Sequence, residues 1–395
     1  MTRTIVVFSL EPWDDVWRRN QYLVHGLLER LPEIRVVFVE PARDHLFDLV
    51  TSRRTQPAAG LRTEPGYDGR LVRYQPAKWL PRALGPLADA LLRAGVRRAL
   101  RRVGATEDVL WINDPGWAHA VRRHRGPSLY DITDDWLAAD RAPRELARLQ
   151  RNEELLFQRC EAVVVCSPGL LRRKRAQRSG IVVIPNAVDV ERYRQPHPRP
   201  ADLPASPTAL YVGTLHEDRL DVDVTTATAR ALREISGTLV FVGPDALSPS
   251  NRARLLGEPN ITLLGARPRD LVPAYLQHAD VLVVPHVVDD FTESLDPIKL
   301  YEYLAVTRPI VATAVAGFRE ESGPGRAVQI ATAADFPRSV LNAVSDPLSL
   351  TPSSVASWDT RVTAFQAVVE TLLPPVDRGA GGRRVRSIPS STRYS

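Results

Sequence analysis

Short apolar runs alternate with helix-like stretches along most of this 395-residue chain, and this alternation limits the fold more than any other feature. Thr4–Leu10 and Ala162–Cys166 are typical of strands, whereas Trp17–Leu31 and Arg144–Cys160 are typical of helices. Strands that are apolar on both faces and alternate with helices predict a parallel sheet covered on both sides. The sequence therefore predicts an α/β fold of the doubly wound, Rossmann-like kind.

A proline-rich segment divides this alternation into two halves. Gln195–Pro207 contains five prolines in thirteen residues, and proline suits neither a helix interior nor a central strand. Because the alternation restarts afterwards, we expect two Rossmann-like domains that face each other across a cleft. The predicted parts are an N-terminal domain at 1–190, a linker at 191–207, a second domain at 208–355, a C-terminal helix at 356–374 and a disordered tail at 375–395.

Composition and cysteine content indicate a globular protein of a reducing compartment. The chain is 44% hydrophobic and 25% charged, with a net charge of +6; these values are ordinary for a globular enzyme, and the charge favours anionic partners. No apolar run approaches the roughly 20 residues of a membrane span, and the N-terminus enters a strand without the pattern of a signal peptide. Cys160 and Cys166 flank an apolar run, as buried thiols do. We therefore expect a cytoplasmic protein.

Loops that follow predicted strands carry the candidate chemistry, because ligands of open α/β sheets bind beyond the carboxyl ends of the strands. Asp14 and Asp15 follow the first strand, where a carboxylate can act as a general base or orient an acceptor hydroxyl. Alternatively, these residues cap the next helix. His119 follows the strand at Trp111 and would lie near a helix start at the cleft, although a lone histidine also suits a structural role. Asp14, Asp15 and His119 are the candidate catalytic residues.

Signals for a cofactor or a metal are weak. The Gly-x-Gly-x-x-Gly fingerprint of dinucleotide binding does not occur, so we expect no cofactor. Tyr130–Trp136 holds paired acidic residues of a kind that bind a divalent ion, but no equivalent loop is comparably acidic. Asp134 and Asp135 are equally compatible with capping a helix or binding an acceptor. We therefore expect no metal site.

The first loop of the second half offers donors for a phosphate. Gly213 follows a predicted strand and lets the backbone approach a ligand. His216 and Arg219 add donors suited to a phosphate. The alternative interpretation is a solvent-exposed turn that binds nothing.

The segment Phe291–Thr313 is typical of a loop, a short helix, a turn and a buried strand. Asp296 is the predicted N-cap, with Pro297 at the first helical position. Lys299 lies in the first turn, and a helix N-terminus that carries a lysine suits a diphosphate. The alternative is an ordinary strand–helix unit with a surface pair formed by Lys299 and Glu302.

The stretch Leu84–Val103 has the pattern of a basic amphipathic helix. Leucine and valine recur at helical spacing, and the arginines fall mostly on other faces. This pattern is typical of a helix that lies on an anionic membrane surface. It is equally typical of a helix that covers a sheet and exposes its arginines to solvent.

In chain order, these segments resemble the GT-B glycosyltransferases, especially the bacterial family-4-like and teichuronic-acid-biosynthesis-type enzymes. The resemblance extends over roughly residues 4–373 and is specific as a combination of motifs. The motifs that carry it are Pro185–Asp189, Tyr211–Thr214, Asp280–Pro285 and Asp296–Ala305. It implies that the N-terminal domain binds an acceptor and that the second domain binds a nucleotide-sugar.

The resemblance also implies roles for single residues. Gly213 would lie against the diphosphate, and Glu302 would hydrogen-bond the ribose. Many relatives carry a further glutamate that contacts the donor sugar; Ser294 holds that position here, and Glu293 is one residue away. The complete predicted donor site is Gly213, His216, Arg219, Glu293, Ser294, Asp296, Lys299 and Glu302.

The implied reaction moves a sugar from a UDP- or GDP-sugar to a hydroxyl of a glycan, a glycolipid or a polysaccharide precursor, without a metal and with retention of configuration. Two alternatives stay open: a nucleotide-sugar epimerase or hydrolase of the same fold, and a non-catalytic nucleotide-sugar-binding scaffold protein. We expect no nucleic-acid partner. Contact of the basic helix with lipid would place the protein at the inner face of the cell membrane.

Overall fold

The computed structural model describes residues 2–44, 60–80, 85–138, 141–205, 207–345, 350 and 354–373. These residues form two α/β units, one with an eight-stranded sheet and one with a six-stranded sheet. The predicted disordered tail at 375–395 and Leu84, the first residue of the predicted basic helix, lie outside the described residues. No helix in the described part of the chain is both long enough and apolar enough to cross a bilayer.

The N-terminal unit is built on the larger sheet. The strands of this half are β1 Arg3–Phe8, β2 Ile34–Val39, β3 Arg43–Asp44, β4 Gly60–Thr63, β5 Leu71–Gln75, β6 Ala77–Lys78, β7 Val109–Ile112, β8 Ser128–Ile132, β9 Ala162–Val165 and β10 Val182–Val183. The order in the sheet is β10-β9-β8-β7-β1-β2-β5-β4, and β3 pairs separately with β6. All pairs in the sheet are parallel except β4 with β5. Buried central strands explain the continuous apolar runs of the sequence.

Helices cover both faces of the N-terminal sheet. They are α1 Arg19–Arg30, α2 Gly85–Arg102, α3 Pro143–Arg159 and α4 Pro168–Lys174, with a 3-10 helix at Pro115–Ala120. One apolar core lies between the sheet and α1, and a second lies between the sheet and α2, α3 and α4. This is the predicted doubly wound arrangement.

The C-terminal unit repeats the arrangement on a smaller scale. Its strands are β11 Thr208–Val212, β12 Leu215–His216, β13 Thr238–Val242, β14 Asp245–Ala246, β15 Ile261–Gly265, β16 Val281–Val284, β17 Ile310–Ala312 and β18 Val328–Ile330. Its helices are α5 Val190–Arg194, α6 Val222–Arg233, α7 Pro249–Leu256, α8 Val272–His278, α9 Ile298–Ala305 and α10 Phe336–Ser345, with a 3-10 helix at Thr292–Ser294. The sheet order is β15-β13-β11-β16-β17-β18, with every pair parallel.

The proline-rich linker is packed against the C-terminal unit. Its first part is α5, which Asp189 caps by accepting a hydrogen bond from the N–H of Arg192. Farther along, the N–H of His197 donates to Oε1 of Gln277 over 3.0 Å. Leu203 is buried in the core of the C-terminal unit. The chain therefore passes between the two units before α5 begins.

A last helix, α11 Trp358–Leu372, returns to the N-terminal unit. The ring of Phe365 lies 4.5 Å from that of Trp111 on β7. The ring of Trp358 stacks on that of Tyr22 at 4.5 Å. Val362 packs closely on Gly26: a Cβ atom added to Gly26 would lie 2.5 and 2.7 Å from the two Cγ atoms of Val362. The C-terminal helix thus belongs to the core of the N-terminal unit, and the two units are connected twice.

The predicted fold class is confirmed, and several short elements are missing from the sequence prediction, among them α7 and β4. Leu255 is the one buried residue of α7, so the sequence of this helix shows little apolar periodicity. Its N-cap, Ser248, accepts from the N–H of Asn251 and is followed by a proline, which is a detectable helix-start signal. β4 is an edge strand with partly exposed residues, so alternation of apolar residues is weak there as well.

Replacement of Phe365 by alanine should destabilise the N-terminal unit by about 3–5 kcal/mol, because it removes a buried ring and leaves a cavity. All seven tryptophans lie in the N-terminal unit or in α11, so tryptophan fluorescence during urea unfolding reports this unit. Glu370→Ala, on the exposed side of the same helix, is the matched control and should change stability by less than about 0.5 kcal/mol. Equal urea midpoints for the two variants would contradict the docking of α11.

Candidate active site between the two domains

Loops that follow strands of both sheets meet in a cleft between the two units. Arg219, from the loop after β12, lies with its guanidinium 3.5 Å from the carboxylate of Asp134, which follows β8. Deeper in the contact, the hydroxyl of Ser167 donates to the carbonyl of Ser294 over 2.6 Å. The cleft therefore joins the acidic loops of the N-terminal unit to the phosphate-binding candidates of the C-terminal unit.

Lys299 is the centre of a small polar cluster on the C-terminal side of the cleft. Its Nζ atom donates to Oη of Tyr211 over 2.6 Å and lies 3.5 Å from Nε2 of His286. Tyr211 Oη and His286 Nε2 are 3.1 Å apart. Among the described residues, no carboxylate oxygen lies within ion-pair distance of Lys299. The ammonium group thus has neutral partners and lacks a counter-ion.

Burial and mutual repulsion weaken the positive charge of this cluster in the unliganded protein. Burial, followed by the nearby charge of Arg219, holds the pKa of Lys299 well below its usual value. The same causes, in the same order, lower the pKa of His216 to about 4. Burial and Lys299 likewise depress the pKa of His286. A bound anion would favour the protonated form of Lys299 again, whereas His216 is neutral at neutral pH and can act as a hydrogen-bond partner only.

Gly213 provides the close backbone approach that the sequence predicts. Its φ of 134° is one that residues with a side chain rarely adopt. A Cβ atom added at Gly213 would lie 3.0 Å from Nζ of Lys299. The structure therefore brings Gly213 and Lys299 together, and a side chain at position 213 would crowd the ammonium group.

Glu302 lies one helical turn after Lys299 on the same helix. Its carboxylate accepts a hydrogen bond from the hydroxyl of Tyr193 in α5. Burial raises the pKa of Glu302, opposed by this hydrogen bond and by Lys299. The alternative of a surface Lys–Glu pair is wrong, since both side chains are partly buried and each has its own partner. Glu302 is held as a hydrogen-bonding group beside the domain connection.

The prediction that Asp296 caps the helix is wrong. The N-cap position of α9 is Pro297, and Asp296 turns away toward the connection between the units. Its carboxylate accepts from the N–H of Asn186 and, over 2.7 Å, from the hydroxyl of Tyr301. The start of α9 consequently has no side-chain cap, so its first N–H groups are available to a ligand.

Neither Glu293 nor Ser294 presents its side chain to the Lys299 cluster. The Ser294 hydroxyl is buried and donates to the carbonyl of Phe291 over 2.7 Å. Glu293 forms a two-point ion pair with Arg319 at 2.7 and 2.8 Å. Both residues shape the 3-10 helix before α9, and their predicted contact with the donor sugar stays a prediction.

The N-terminal side of the cleft carries two further carboxylates, Glu11 and Asp134, that were not among the candidate catalytic residues. Glu11 lies 3.3 Å from the guanidinium of Arg18, in the same loop as Asp14. Burial, opposed by Arg18 and reinforced by Asp134, raises the pKa of Glu11 from its ordinary 4.5 to about 7. Burial also raises the pKa of Asp134, while Arg219 lowers it. These two carboxylates face the cationic side of the cleft.

Asp14 and Asp15 take different places in that loop. Asp14 accepts from the N–H of Val16 over 3.0 Å and pairs with Arg18 at 3.1 Å, so its role in this structure is to shape the loop. Asp15 is exposed. The alternative that one of them caps α1 is also wrong, because Arg18 is the N-cap residue. Their proposed catalytic role stays a prediction.

His119 lies among the helices that cover the N-terminal sheet. Its ring stacks on that of Trp117 at 5.2 Å, and Nδ1 is 3.8 Å from the carboxylate of Asp89 in α2. Burial lowers its pKa. None of these contacts is shared with Lys299 or Arg219, so the structure does not bring His119 to the charged cluster of the cleft.

The acidic residues at the end of β8 and directly after it each lie beside a cationic side chain. Asp131 is buried against Arg19 at 3.1 Å, and Asp135 accepts from Lys174 over 2.8 Å; Asp134 faces Arg219. Within the described ranges, no three His, Cys, Asp or Glu side chains are grouped as a metal site would need. Cationic side chains thus occupy the positions around these carboxylates.

Comparison with known sequences identifies the C-terminal unit. Residues 206–348 match the family model described as "Glycosyl transferases group 1". This segment is similar to the glycosyltransferase domains of that family. A Bacillus subtilis (strain 168) protein described as "Putative teichuronic acid biosynthesis glycosyltransferase TuaH" is 24% identical over 244 residues. That alignment covers 58% of this chain and 59% of the relative, so it spans little more than half of either protein.

Solved structures extend the likeness to the whole fold. Sucrose-phosphate synthase from Thermosynechococcus elongatus aligns with a TM-score of 0.69 at 18% identity, over 94% of this chain and 99% of that one. The Anabaena protein HepE in complex with UDP-glucose aligns with a TM-score of 0.60 at 15% identity, over 94% and 95% of the two chains. Identities this low establish the fold alone. The chain has the GT-B fold, and the predicted resemblance to GT-B glycosyltransferases is confirmed.

Glu11→Gln should raise the melting temperature at pH 8 and have little effect at pH 5. A carboxyl with a raised folded-state pKa binds its proton more tightly in the folded than in the unfolded chain, so stability falls as pH rises from about 4.5 to about 7. Glutamine removes that loss. The Glu11 side chain is 41% exposed, so solvent limits the effect to a few degrees or less.

The measurement is a series of thermal melts from pH 5 to pH 8, with Glu370→Gln on the exposed face of α11 as the control for a generic loss of one carboxylate. A stabilisation by Glu11→Gln that does not change with pH would show that the Glu11 carboxyl is not desolvated.

Proposed function

We propose that this protein transfers a sugar from a nucleotide-sugar to an acceptor hydroxyl in the interdomain cleft. The observation that carries the proposal is Lys299, a cation without a carboxylate partner among the described residues, placed at an uncapped helix start beside the bare backbone of Gly213. A nucleoside diphosphate supplies the missing negative charge. Glu302 lies one turn farther along α9, where we propose that its carboxylate binds the ribose that follows the diphosphate.

The chemistry requires stabilisation of the departing diphosphate. As the bond between the sugar and the phosphate oxygen breaks, negative charge grows on the diphosphate, and Lys299, Arg219 and the first N–H groups of α9 would bind it. Lys299 and the N–H groups of α9 are already in place before the donor binds, and groups that are fixed in advance lower the barrier more than groups that must reorganise. We propose that this charge stabilisation makes the transfer independent of a divalent cation and that the configuration of the sugar is retained.

The acceptor would bind from the N-terminal side. Glu11 and Asp134 offer carboxylate oxygens that accept hydrogen bonds from hydroxyl groups, and they face the donor groups across the cleft. A non-catalytic scaffold needs no carboxylates at this position, and we propose that the group they orient is an acceptor hydroxyl, as transfer requires, in place of the water of a hydrolase or the sugar of an epimerase. HepE binds UDP-glucose, and we propose a UDP- or GDP-sugar as the donor here.

Lys299→Ala should lower kcat/KM by about 10²–10³-fold, the usual effect of removing one fixed group that stabilises developing charge. Glu302→Gln should instead raise KM for the donor and reduce kcat less. The assay follows release of nucleoside diphosphate from UDP- and GDP-sugars in the presence of a cell-envelope extract as acceptor source, with and without EDTA. Activity that EDTA abolishes and Mg²⁺ restores would contradict the metal-independent mechanism.

Lys78→Ala is the matched control, since this lysine pairs with Asp44 within the N-terminal unit and is not part of the Lys299 cluster. Circular dichroism establishes that each variant is folded. If Lys299→Ala and Lys78→Ala turn over equally well, the cleft is not the donor site.

One exposed surface suits an acceptor attached to a membrane. Leu87 and Leu91 of α2 are 57% and 56% exposed, and arginines continue the same exposed side toward the end of the helix. These exposed arginines are Arg97, Arg98, Arg101 and Arg102. Apolar side chains beside a row of arginines fit the interface of an anionic bilayer. We propose that this basic helix surface docks the enzyme on an anionic membrane and that the acceptor is a glycolipid or a lipid-linked precursor.

Replacement of the four arginines of the basic helix surface by glutamine should reduce binding to anionic vesicles by about tenfold or more, since each such residue contributes about 1 kcal/mol near the surface. Sedimentation with vesicles of phosphatidylcholine containing phosphatidylglycerol measures the effect. The control removes the same charge from α6 and α7 through glutamine at Arg230, Arg233, Arg252 and Arg254. Equal loss of binding in both variants would mean that net charge, and not this helix, attracts the protein to lipid.

A further inference from the structure

Arg219 occupies a position between the two halves of the cleft. Its Nη2 atom is 3.5 Å from Asp134 Oδ1, and its guanidinium lies 5.1 Å above the ring of Phe291. The Nε–H group is buried and has no hydrogen-bond partner within the described structure. The other carboxylate near it, Asp218, is at 3.9 Å. Arg219 thus has an N–H group without a partner, and its shortest contact with a carboxylate is the 3.5 Å contact with Asp134.

Asp134 is held in place without Arg219. Its Oδ2 atom accepts a hydrogen bond from the hydroxyl of Thr133 over 3.2 Å, and its backbone follows β8 directly. Its side chain is 19% exposed. The position of the carboxylate is therefore set by the N-terminal unit, and departure of Arg219 would leave its Oδ1 atom free to accept a hydrogen bond.

We propose that Arg219 is a counter-ion that the two substrates share. It pairs with Asp134 in the unliganded protein and moves to the diphosphate when the donor binds, which frees Asp134 to accept a hydrogen bond from a hydroxyl of a sugar acceptor. This inference rests on the proposed function and adds an order of binding to it, with the donor first and the acceptor second.

The relative strength of the two contacts favours this exchange. Arginine binds phosphate groups through two parallel charge-assisted hydrogen bonds of about 2.7–2.9 Å, which are shorter than the 3.5 Å contact with Asp134. The second cation of the site, Lys299, is carried by the same domain as Arg219, so a diphosphate that binds Lys299 arrives close to Arg219. A movement of the guanidinium alone completes the exchange.

The exchange predicts a coupling that a double-mutant cycle measures. The probe is whichever of UDP and GDP binds the parent protein more tightly, and titration calorimetry gives its Kd. Asp134→Asn should tighten binding several-fold, within the roughly 5–150-fold range of coupling between sites, because Arg219 no longer has a competing carboxylate. In an Arg219→Gln background, Asp134→Asn should have no effect.

Three outcomes of the cycle would contradict the exchange. If Asp134→Asn tightens binding equally with and without Arg219, the effect is general charge removal and the exchange is wrong. If Asp134→Asn leaves Kd unchanged in the parent background, Arg219 does not compete. If neither UDP nor GDP binds the parent protein, the proposed function fails and the exchange fails only with it.

Asp290→Asn is the control for loss of a charge pair across the cleft. Asp290 pairs with Arg173 of the N-terminal unit at 3.1 Å and is 87% exposed, so its loss should change Kd by less than about twofold. A crystal structure of the UDP or GDP complex gives a direct answer, with the Arg219–Asp134 distance expected beyond 4 Å. At saturating donor, Asp134→Asn should also lose transfer to the envelope extract while Asp290→Asn retains it; retention by both would overturn the acceptor role of Asp134.

Discussion

A chain of polar contacts through Asn186 holds the two domains in register, and the geometry of the cleft depends on it. Arg19, at the start of α1, is buried against Asp131 at 3.1 Å and also reaches the side chain of Asn186. Asn186 in turn donates to Asp296, directly before α9. Removing one partner of a buried ion pair costs about 3–5 kcal/mol. The N-terminal domain therefore fixes where α9 begins, and with it the position of Lys299.

The second constraint is the repulsion between two positive charges of the proposed donor site. Lys299 and Arg219 come from the same domain, and Arg219 contributes to the lowered pKa of Lys299. Tyr211 relieves part of this cost, since the ammonium group donates to its hydroxyl and lies 3.8 Å from its ring centre. Asp134 relieves another part from the opposite domain. The negative charges of a diphosphate would pair with both Lys299 and Arg219 and would replace their present contacts with Tyr211 and Asp134. The geometry of the cluster therefore favours binding of an anion.

The sequence predicts those parts of the protein that depend on neighbouring residues. Strands of the central sheet are buried on both faces, so their apolar runs identify them, whereas α7 buries Leu255 alone and escapes a search for periodicity. Gly213 and Lys299 were predictable for the same local reason, because a glycine after a strand and a lysine in a first helical turn have recognisable chemistry on their own. Neither motif indicates that the two residues are in contact.

The rest of the site depends on residues that are far apart in sequence, and no local pattern contains that information. Asp296 has the spacing of an N-cap, but a partner 110 residues away takes its carboxylate. The loop after β1 carries three carboxylates, those of Glu11, Asp14 and Asp15. Trp13 of the same loop is buried with its ring 5.1 Å from that of Phe38, and this packing positions the carboxylates on either side of it. Once Trp13 is fixed in the core, Asp14 folds onto its own loop while Glu11 is left near Asp134. Choosing between them requires the packing of the tryptophan, which only the folded chain supplies.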